Sequence, residues 1–198
     1  MKKIFALLPT VCFMLLACND NKSETTENTT NSSTSTNTST DAAIVTTENK
    51  TSVVTDEKST EFLKKATNSG MAEVQAAKLA QQKATIEAVK NFAAMLERDH
   101  TAVNQQVKTL ADQRNVALPS TISEDKQKMY SDMEKMTGKA FDKDYISMMI
   151  KAHGDGISLF EDTKSNASDI DVKNFADKTL PTLKMHLDSA KAIQKRYW

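Results

Sequence analysis

The chain has 198 residues, and its 26 basic and 26 acidic side chains give a formal net charge of zero. A neutral chain lacks the clustered positive charge with which proteins bind nucleic acid or anionic lipid headgroups, so neither contact is predicted. Both cysteines lie within the first 18 residues, so the remainder of the chain has no thiol for a disulfide or a thiolate metal site.

The N-terminus has the pattern of a secretory signal. Lys2 and Lys3 precede an apolar run from Ile4 to Leu16, which is shorter than the roughly 20 residues that a membrane-spanning helix needs. The run ends at Ala17 and Cys18, and this junction resembles a bacterial lipobox. The resemblance implies that residues 1–17 are removed and that Cys18 receives a diacylglyceryl thioether and a further acyl chain such as palmitate.

A lipidated Cys18 would anchor the protein to a membrane, because each buried methylene of an acyl chain contributes about 0.8 kcal/mol. We therefore predict a lipoprotein of the bacterial cell envelope, held at the outer membrane or at a periplasmic face. Removal of the signal leaves 24 basic and 26 acidic residues and a net charge of about −2. The alternative interpretation is an ordinary cleaved signal with a chance cysteine.

The segment 18–57 follows the signal and is rich in Ser, Thr and Asn. Such a composition buries too little apolar surface to offset the entropy of ordering a chain. We predict that this segment is a disordered tether between the lipid and a folded domain over residues 58–198.

The folded domain shows apolar residues at helical spacing and no strand-like alternation, which predicts an all-α fold. The four predicted long helices cover residues 59–84, 86–114, 139–165 and 169–196, and a short extra helix covers 122–136. The motif Val-Lys-Asn-Phe-Ala begins at Val89 and again at Val172, near the start of the second helix of each hairpin. Two hairpins joined by one long crossover predict a ferritin-like four-helix bundle.

Four segments resemble an exported bacterial family known as domain of unknown function 4142. They lie at residues 70–73, 79–84, 89–100 and 180–187, and the resemblance covers about residues 60–196. It implies a ferritin-like helical bundle in the cell envelope. It implies no reaction, because the family has no established one.

One polar side chain that could bind a ligand interrupts the apolar face of each long helix. The domain's three histidines, His100, His153 and His186, lie on different helices, and Glu73 lies on the first helix. At about 1.5 Å per residue, all four fall near the middle of the bundle. The pattern therefore predicts that these residues meet in the core.

Three interpretations of this constellation are open. The four groups could form a hydrogen-bonded core network with Glu73 paired to an imidazolium, or bind another ligand. They could also hold one transition-metal ion such as Zn, Cu, Fe or Mn, with Glu97 as a candidate additional ligand. A ferritin-type dinuclear site needs two Glu-x-x-His motifs; the chain has only Glu97 to His100, which disfavours ferroxidase or oxygenase chemistry.

The function that the sequence favours is a non-enzymatic envelope module that binds a protein partner or serves stress tolerance. No nucleophile motif or phosphate-binding loop is present. The alternative function is a mononuclear metal-binding or redox bundle. The thioethers of Met129, Met133 and Met136 could also hold Cu(I), although such a stripe is more typical of packing.

Overall fold

The computed structural model describes residues 55–198, and five helices follow one another within this range with no strand among them. They are α1 (Glu57–Lys83), α2 (Glu87–Gln113), α3 (Glu124–Lys135), α4 (Gly138–Asn166) and α5 (Ile170–Tyr197). The predicted all-α class is confirmed, and each predicted helix begins and ends within two residues of an observed one. The predicted signal, Cys18 and all but the last residues of the predicted tether lie outside the described range.

The helices form two hairpins that pack side by side. Helix α1 pairs with α2 and α4 pairs with α5, while α1 also contacts α4 and α2 also contacts α5. Helix α3 lies in the long connection between the hairpins and contacts α1 and α4. This is the predicted bundle with a short crossover helix. None of the helices that the structure describes is long and apolar enough to span a bilayer.

Helix α2 receives its N-terminal cap from another helix. Ile86 precedes the helix and offers no side-chain hydrogen bond. The carboxylate of Asp142 on α4 instead accepts from the backbone N–H groups of Thr85 and Ile86 at 3.0–3.1 Å and from the Thr85 hydroxyl at 2.6 Å. Asp142 is fully buried, so the turn of the first hairpin is fixed against the second hairpin.

Three helix termini meet at the other end of the bundle. Arg114, which ends α2, donates to Asp169 at 2.5 and 2.6 Å and to Asp171 at 2.9 Å. Asp169 also caps α5 by accepting from the backbone of Asp171 and Val172. Asp56 caps α1 and accepts from the backbone N–H groups of Ser168 and Asp169. These bonds hold the α4–α5 turn against the ends of α1 and α2.

The apolar core is divided into two clusters along the bundle. One contains Leu79, Phe92, Phe141 and Tyr145 near the α1–α2 turn. The other contains Phe62, Val107, Phe160 and Phe175 toward the α4–α5 turn. Between them along every long helix lies one buried polar residue, and together these form the polar layer: Glu73, His100, His153 and His186.

Candidate metal centre

The polar layer brings together the four residues that the sequence placed on four apolar faces. Glu73 is 8% exposed, His100 is 4% exposed, and His153 and His186 are each 1% exposed. One ring nitrogen from each histidine lies within 4.8 Å of those of the other two. The helical spacing therefore carries these side chains into a single buried site.

The distances within the layer suit a shared ion. His100 Nε2 lies 3.4 Å from His153 Nε2, and two imidazoles on one tetrahedral metal, each at about 2.0–2.1 Å, would stand about 3.3 Å apart. Glu73 Oε2 lies 2.9 Å from His100 Nε2 and 3.9 Å from His153 Nε2. The carboxylate is therefore beside two of the three imidazoles.

Two of the imidazoles are held in the tautomer that presents a lone pair to the layer. His153 Nδ1 lies 2.9 Å from the carbonyl oxygen of Met149, which can only accept, so Nδ1 carries the proton and Nε2 is unprotonated. His186 Nε2 lies 3.0 Å from Asp99 Oδ2, so His186 Nδ1 carries the lone pair. A carbonyl or carboxylate in this position is the usual partner of a metal-binding histidine.

Two ligand-capable atoms of the layer have no hydrogen-bond partner within the described residues. His186 Nδ1 is buried and unpaired. Glu73 Oε2 is also buried and has no aligned hydrogen bond, and its contact with His100 Nε2 at 2.9 Å is that of an ion pair. Buried polar atoms are normally paired, so a purely hydrogen-bonded network leaves this site incomplete. A cation accepts both lone pairs, and the residues present therefore fit a metal ion.

Burial and the Glu73 charge set the protonation of the layer. Burial lowers the pKa of His153 and of His186, which keeps both imidazoles neutral. Burial also acts to lower the pKa of His100, but the adjacent Glu73 carboxylate outweighs it and the pKa is raised. Burial acts to raise the pKa of Glu73, and the charge of His100 outweighs it, so that pKa is lowered. Glu73 is therefore ionised, as a metal ligand must be.

Two carboxylates of α2, those of Glu97 and Asp99, lie outside the polar layer. Glu97, the candidate additional ligand, accepts from Gln81 at 2.6 Å and lies 3.8 Å from Lys78, so its contacts are with α1 and not with an imidazole. Asp99, which contacts His186, was not predicted. It is three residues after Leu96 and four before Val103, and this spacing at the edge of the α2 apolar stripe was the signal that could have identified it.

The methionine stripe lies in a groove between α3 and α4. Met129, Met133, Met136 and Met148 line this groove. Met133 is 5% exposed and belongs to the apolar cluster near the α1–α2 turn, against which Met136 and Met148 pack. The contacts of Met133, Met136 and Met148 are therefore those of side chains that pack in an apolar core.

A cavity of about 340 Å³ opens onto one side of the polar layer. Glu73, His100 and His153 form its inner wall, whereas His186 is not among its lining residues. Its charged lining residues beyond the layer are Lys65, Lys126 and Asp155. An ion held by the three imidazoles would thus be reachable from the side of Glu73.

The chain is similar to known proteins in sequence and in fold. A family model described as domain of unknown function (DUF4142) matches residues 30–193. A crystal structure of a DUF305 fragment from Deinococcus radiodurans has a similar fold, with 10% identity, a TM-score of 0.65, and coverage of 73% of this chain and 99% of that one. CopM in the Cu(II)-bound form is also similar, with 18% identity, a TM-score of 0.62, and coverage of 71% and 97%.

CopM in the Cu(I)-bound form has the same identity and coverage and a TM-score of 0.61. Identities this low show a shared fold and nothing more. None of the curated proteins compared with the chain matches it significantly.

Proposed function

The chain belongs to the family described as domain of unknown function DUF4142, and from this premise we propose that its helical domain binds one transition-metal ion in the polar layer. His100, His153 and His186 would supply nitrogen ligands and Glu73 an oxygen ligand. The protein would act as a binding module of the cell envelope and not as an enzyme. The observation that carries the proposal is the convergence of three buried imidazoles within 4.8 Å.

Copper is the ion that we propose first. Imidazole and carboxylate suit Cu, Zn, Fe and Mn, but Cu(II) binds such donors most tightly among the divalent first-row ions. CopM, which shares the fold at 18% identity, is known with Cu(II) and with Cu(I) bound. Zinc is the natural comparison, because three histidines and a carboxylate can also surround it tetrahedrally.

The test is metal stoichiometry and affinity on the full-length chain. Protein stripped by a chelator is titrated with Cu(II) and with Zn(II), and bound metal is measured by elemental analysis after desalting. We expect one ion per chain, and we expect His153→Ala to abolish stoichiometric binding. Absence of bound metal in the unsubstituted protein would favour the hydrogen-bonded network.

A matched pair of substitutions compares a carboxylate of the polar layer with a carboxylate outside it. Glu73→Gln removes the carboxylate that lies 2.9 Å from His100 and should weaken metal binding. Glu97→Gln changes a carboxylate that contacts only Gln81 and Lys78 and should leave metal binding unchanged. Equal effects of the two substitutions would contradict the assignment of Glu73.

We also propose that Cys18 anchors the module to a bacterial membrane. The proposal rests on the lipobox resemblance at Ala17 and Cys18, and the segment 18–57 would serve as the tether. Labelling cells with a radioactive fatty acid tests it. Cys18→Ser should abolish incorporation of label and Cys12→Ser should not, since Cys12 would leave with the signal; label retained by Cys18→Ser would exclude the anchor.

A further inference from the structure

Three charged side chains line the outer wall of the cavity beside the polar layer, and two of them are held in ion pairs. Lys65 is paired with Glu61 at 2.6 Å, and Asp155 is paired with Lys151 at 2.6 Å. Lys126, the remaining charged residue at the outer wall, makes no ion pair or hydrogen bond through its ammonium group within the described residues, and it acts electrostatically on the carboxylates of Glu73 and Asp125. Among the described residues that line this cavity, Lys126 is therefore the cation whose ammonium group is not held in an ion pair.

A lysine is an unusual neighbour for a cation site. Its positive charge opposes the entry of a metal ion, although it lies close enough to Glu73 to act with His100 in lowering the pKa of that carboxyl. Once a divalent ion is bound by neutral imidazoles and Glu73, the positive charges of the ion and of Lys126 together exceed the single negative charge of Glu73. The loaded cavity would then be positively charged and partly shielded from solvent.

The cavity reaches the polar layer on the side of Glu73. His186 approaches from α5 and is absent from the cavity lining, while His100 and His153 form part of the cavity wall. Cu(II) favours tetragonal coordination, so three imidazoles and Glu73 leave room for a further ligand from the cavity side. A volume of about 340 Å³ is ample for a molecule of a few heavy atoms.

We infer that this cavity binds a small monovalent anion, which coordinates the ion from the open side and pairs with the Lys126 ammonium. The inference rests on the proposed metal function and names the class of ligand that the same site would take. The anion would add to the metal as a further ligand, and no electron or proton transfer is required. Linear or planar anions of three or four heavy atoms, such as azide or bicarbonate, fit this description.

The test uses azide as the probe and the full-length chain loaded with Cu(II). Azide bound to Cu(II) produces a charge-transfer absorption band, which we expect to appear and to saturate in the unsubstituted protein. Lys126→Gln should weaken azide binding about fivefold, the size of a partly exposed charge pair, while the copper content stays at one ion per chain. Lys126→Arg keeps the charge and should restore most of the affinity.

Lys128→Gln is the matched control. Lys128 lies on the same helix, pairs with Asp132 at 2.6 Å and has a side chain that is 79% exposed, so its replacement should not change azide binding. If copper binds but azide produces no saturable band, or if Lys126→Gln and Lys128→Gln behave alike, the anion site is wrong and the metal site stands. If no copper binds, both proposals fail.

Discussion

At the scale of single residues, Asp99 decides how His186 can act. Its Oδ2 accepts from His186 Nε2 at 3.0 Å, which fixes the imidazole and directs Nδ1 into the polar layer. Arg98 holds the other carboxylate oxygen at 2.8 Å. The ring that reaches the layer from α5 is therefore oriented by a side chain on α2.

We predict that Asp99→Asn weakens metal binding about 10- to 100-fold, the usual effect of removing the hydrogen-bonding partner of a ligating histidine. The amide can still accept from His186, so the loss reflects the missing negative charge and the protein should remain folded. Competition with a chelator of known affinity measures the change. Asp112→Asn, at an exposed position on the same helix that contacts Lys108, should bind metal normally, and equal affinities in the two variants would remove Asp99 from the site.

At the scale of helices, the α1–α2 turn depends on Asp142 of α4. We predict that Asp142→Ala lowers the free energy of unfolding by about 1–3 kcal/mol, because two backbone N–H groups and a hydroxyl lose a buried acceptor. Urea denaturation measures the loss. Asp144→Ala, two residues away and exposed, is the control and should change stability by less than about 0.5 kcal/mol. An Asp142→Ala variant as stable as the unsubstituted protein would show that the turn does not need this cap.

The contacts among helix termini predict a loss of stability in acid. Hydrogen bonds from Arg114, which outweigh burial, hold the pKa of Asp169 below its usual value. The unfolded carboxyl, with a pKa of about 3.9, takes up a proton before the folded one does. The stability due to this pair is therefore fully present above about pH 5 and is lost as the pH falls through the lowered pKa of the folded state.

Asp169→Asn should remove this acid-dependent component and should lower stability at neutral pH. Urea denaturation of Asp169→Asn and of the unsubstituted protein measures this acid-dependent component. The measurements run from about pH 3 to about pH 7, a range that includes the carboxyl pKa. Asp171→Asn is the comparison, since its side chain is 63% exposed and makes one bond to Arg114; we expect it to retain most of the acid dependence. Parallel pH profiles for Asp169→Asn and the unsubstituted protein would contradict the assignment.

At the scale of the whole molecule, the polar layer separates two apolar clusters that could otherwise form one continuous core. Apolar side chains at these four positions would avoid the cost of burying charge and unpaired polar atoms. The layer is thus poorly explained by stability in the metal-free protein. A bound ion would join all four long helices through their side chains.

We predict that Cu(II) at about a hundred times its Kd raises the Tm by about 5–10 °C, which corresponds to roughly 2.7 kcal/mol for a domain of this size. His186→Leu should abolish this rise. With chelator present the same variant should still be about 1–3 kcal/mol less stable, because Asp99 loses its buried partner.

Thermal unfolding with chelator and with Cu(II) measures both quantities. Met185→Leu, at the neighbouring position, which is 46% exposed, should keep the metal response. A metal-induced rise that survives in His186→Leu would exclude this histidine as a ligand. Unchanged stability of that variant in both conditions would mean that His186 has no structural role either.

The sequence alone determined the helices and the faces on which the chemistry lies. Apolar residues at intervals of three and four specify a helix and its buried side whatever the neighbouring helix is, so the five helices follow from the pattern. The same periodicity placed Glu73, His100, His153 and His186 on buried faces at similar heights. The family resemblance likewise came from residues that the sequence displays.

Which polar atoms meet depends on how the helices pack against one another. Periodicity fixes a side chain's direction around its own helix but not the axial offset between helices, and an offset of one residue, about 1.5 Å, makes or breaks a 3 Å contact. For this reason four contacts could not be predicted: that of Glu73 with His100, that of Asp99 with His186, that of Asp142 with the α1–α2 turn, and that of Glu97 with α1. The cavity lined by Lys126 also depends on how α3 crosses the bundle, and no local pattern specifies that crossing.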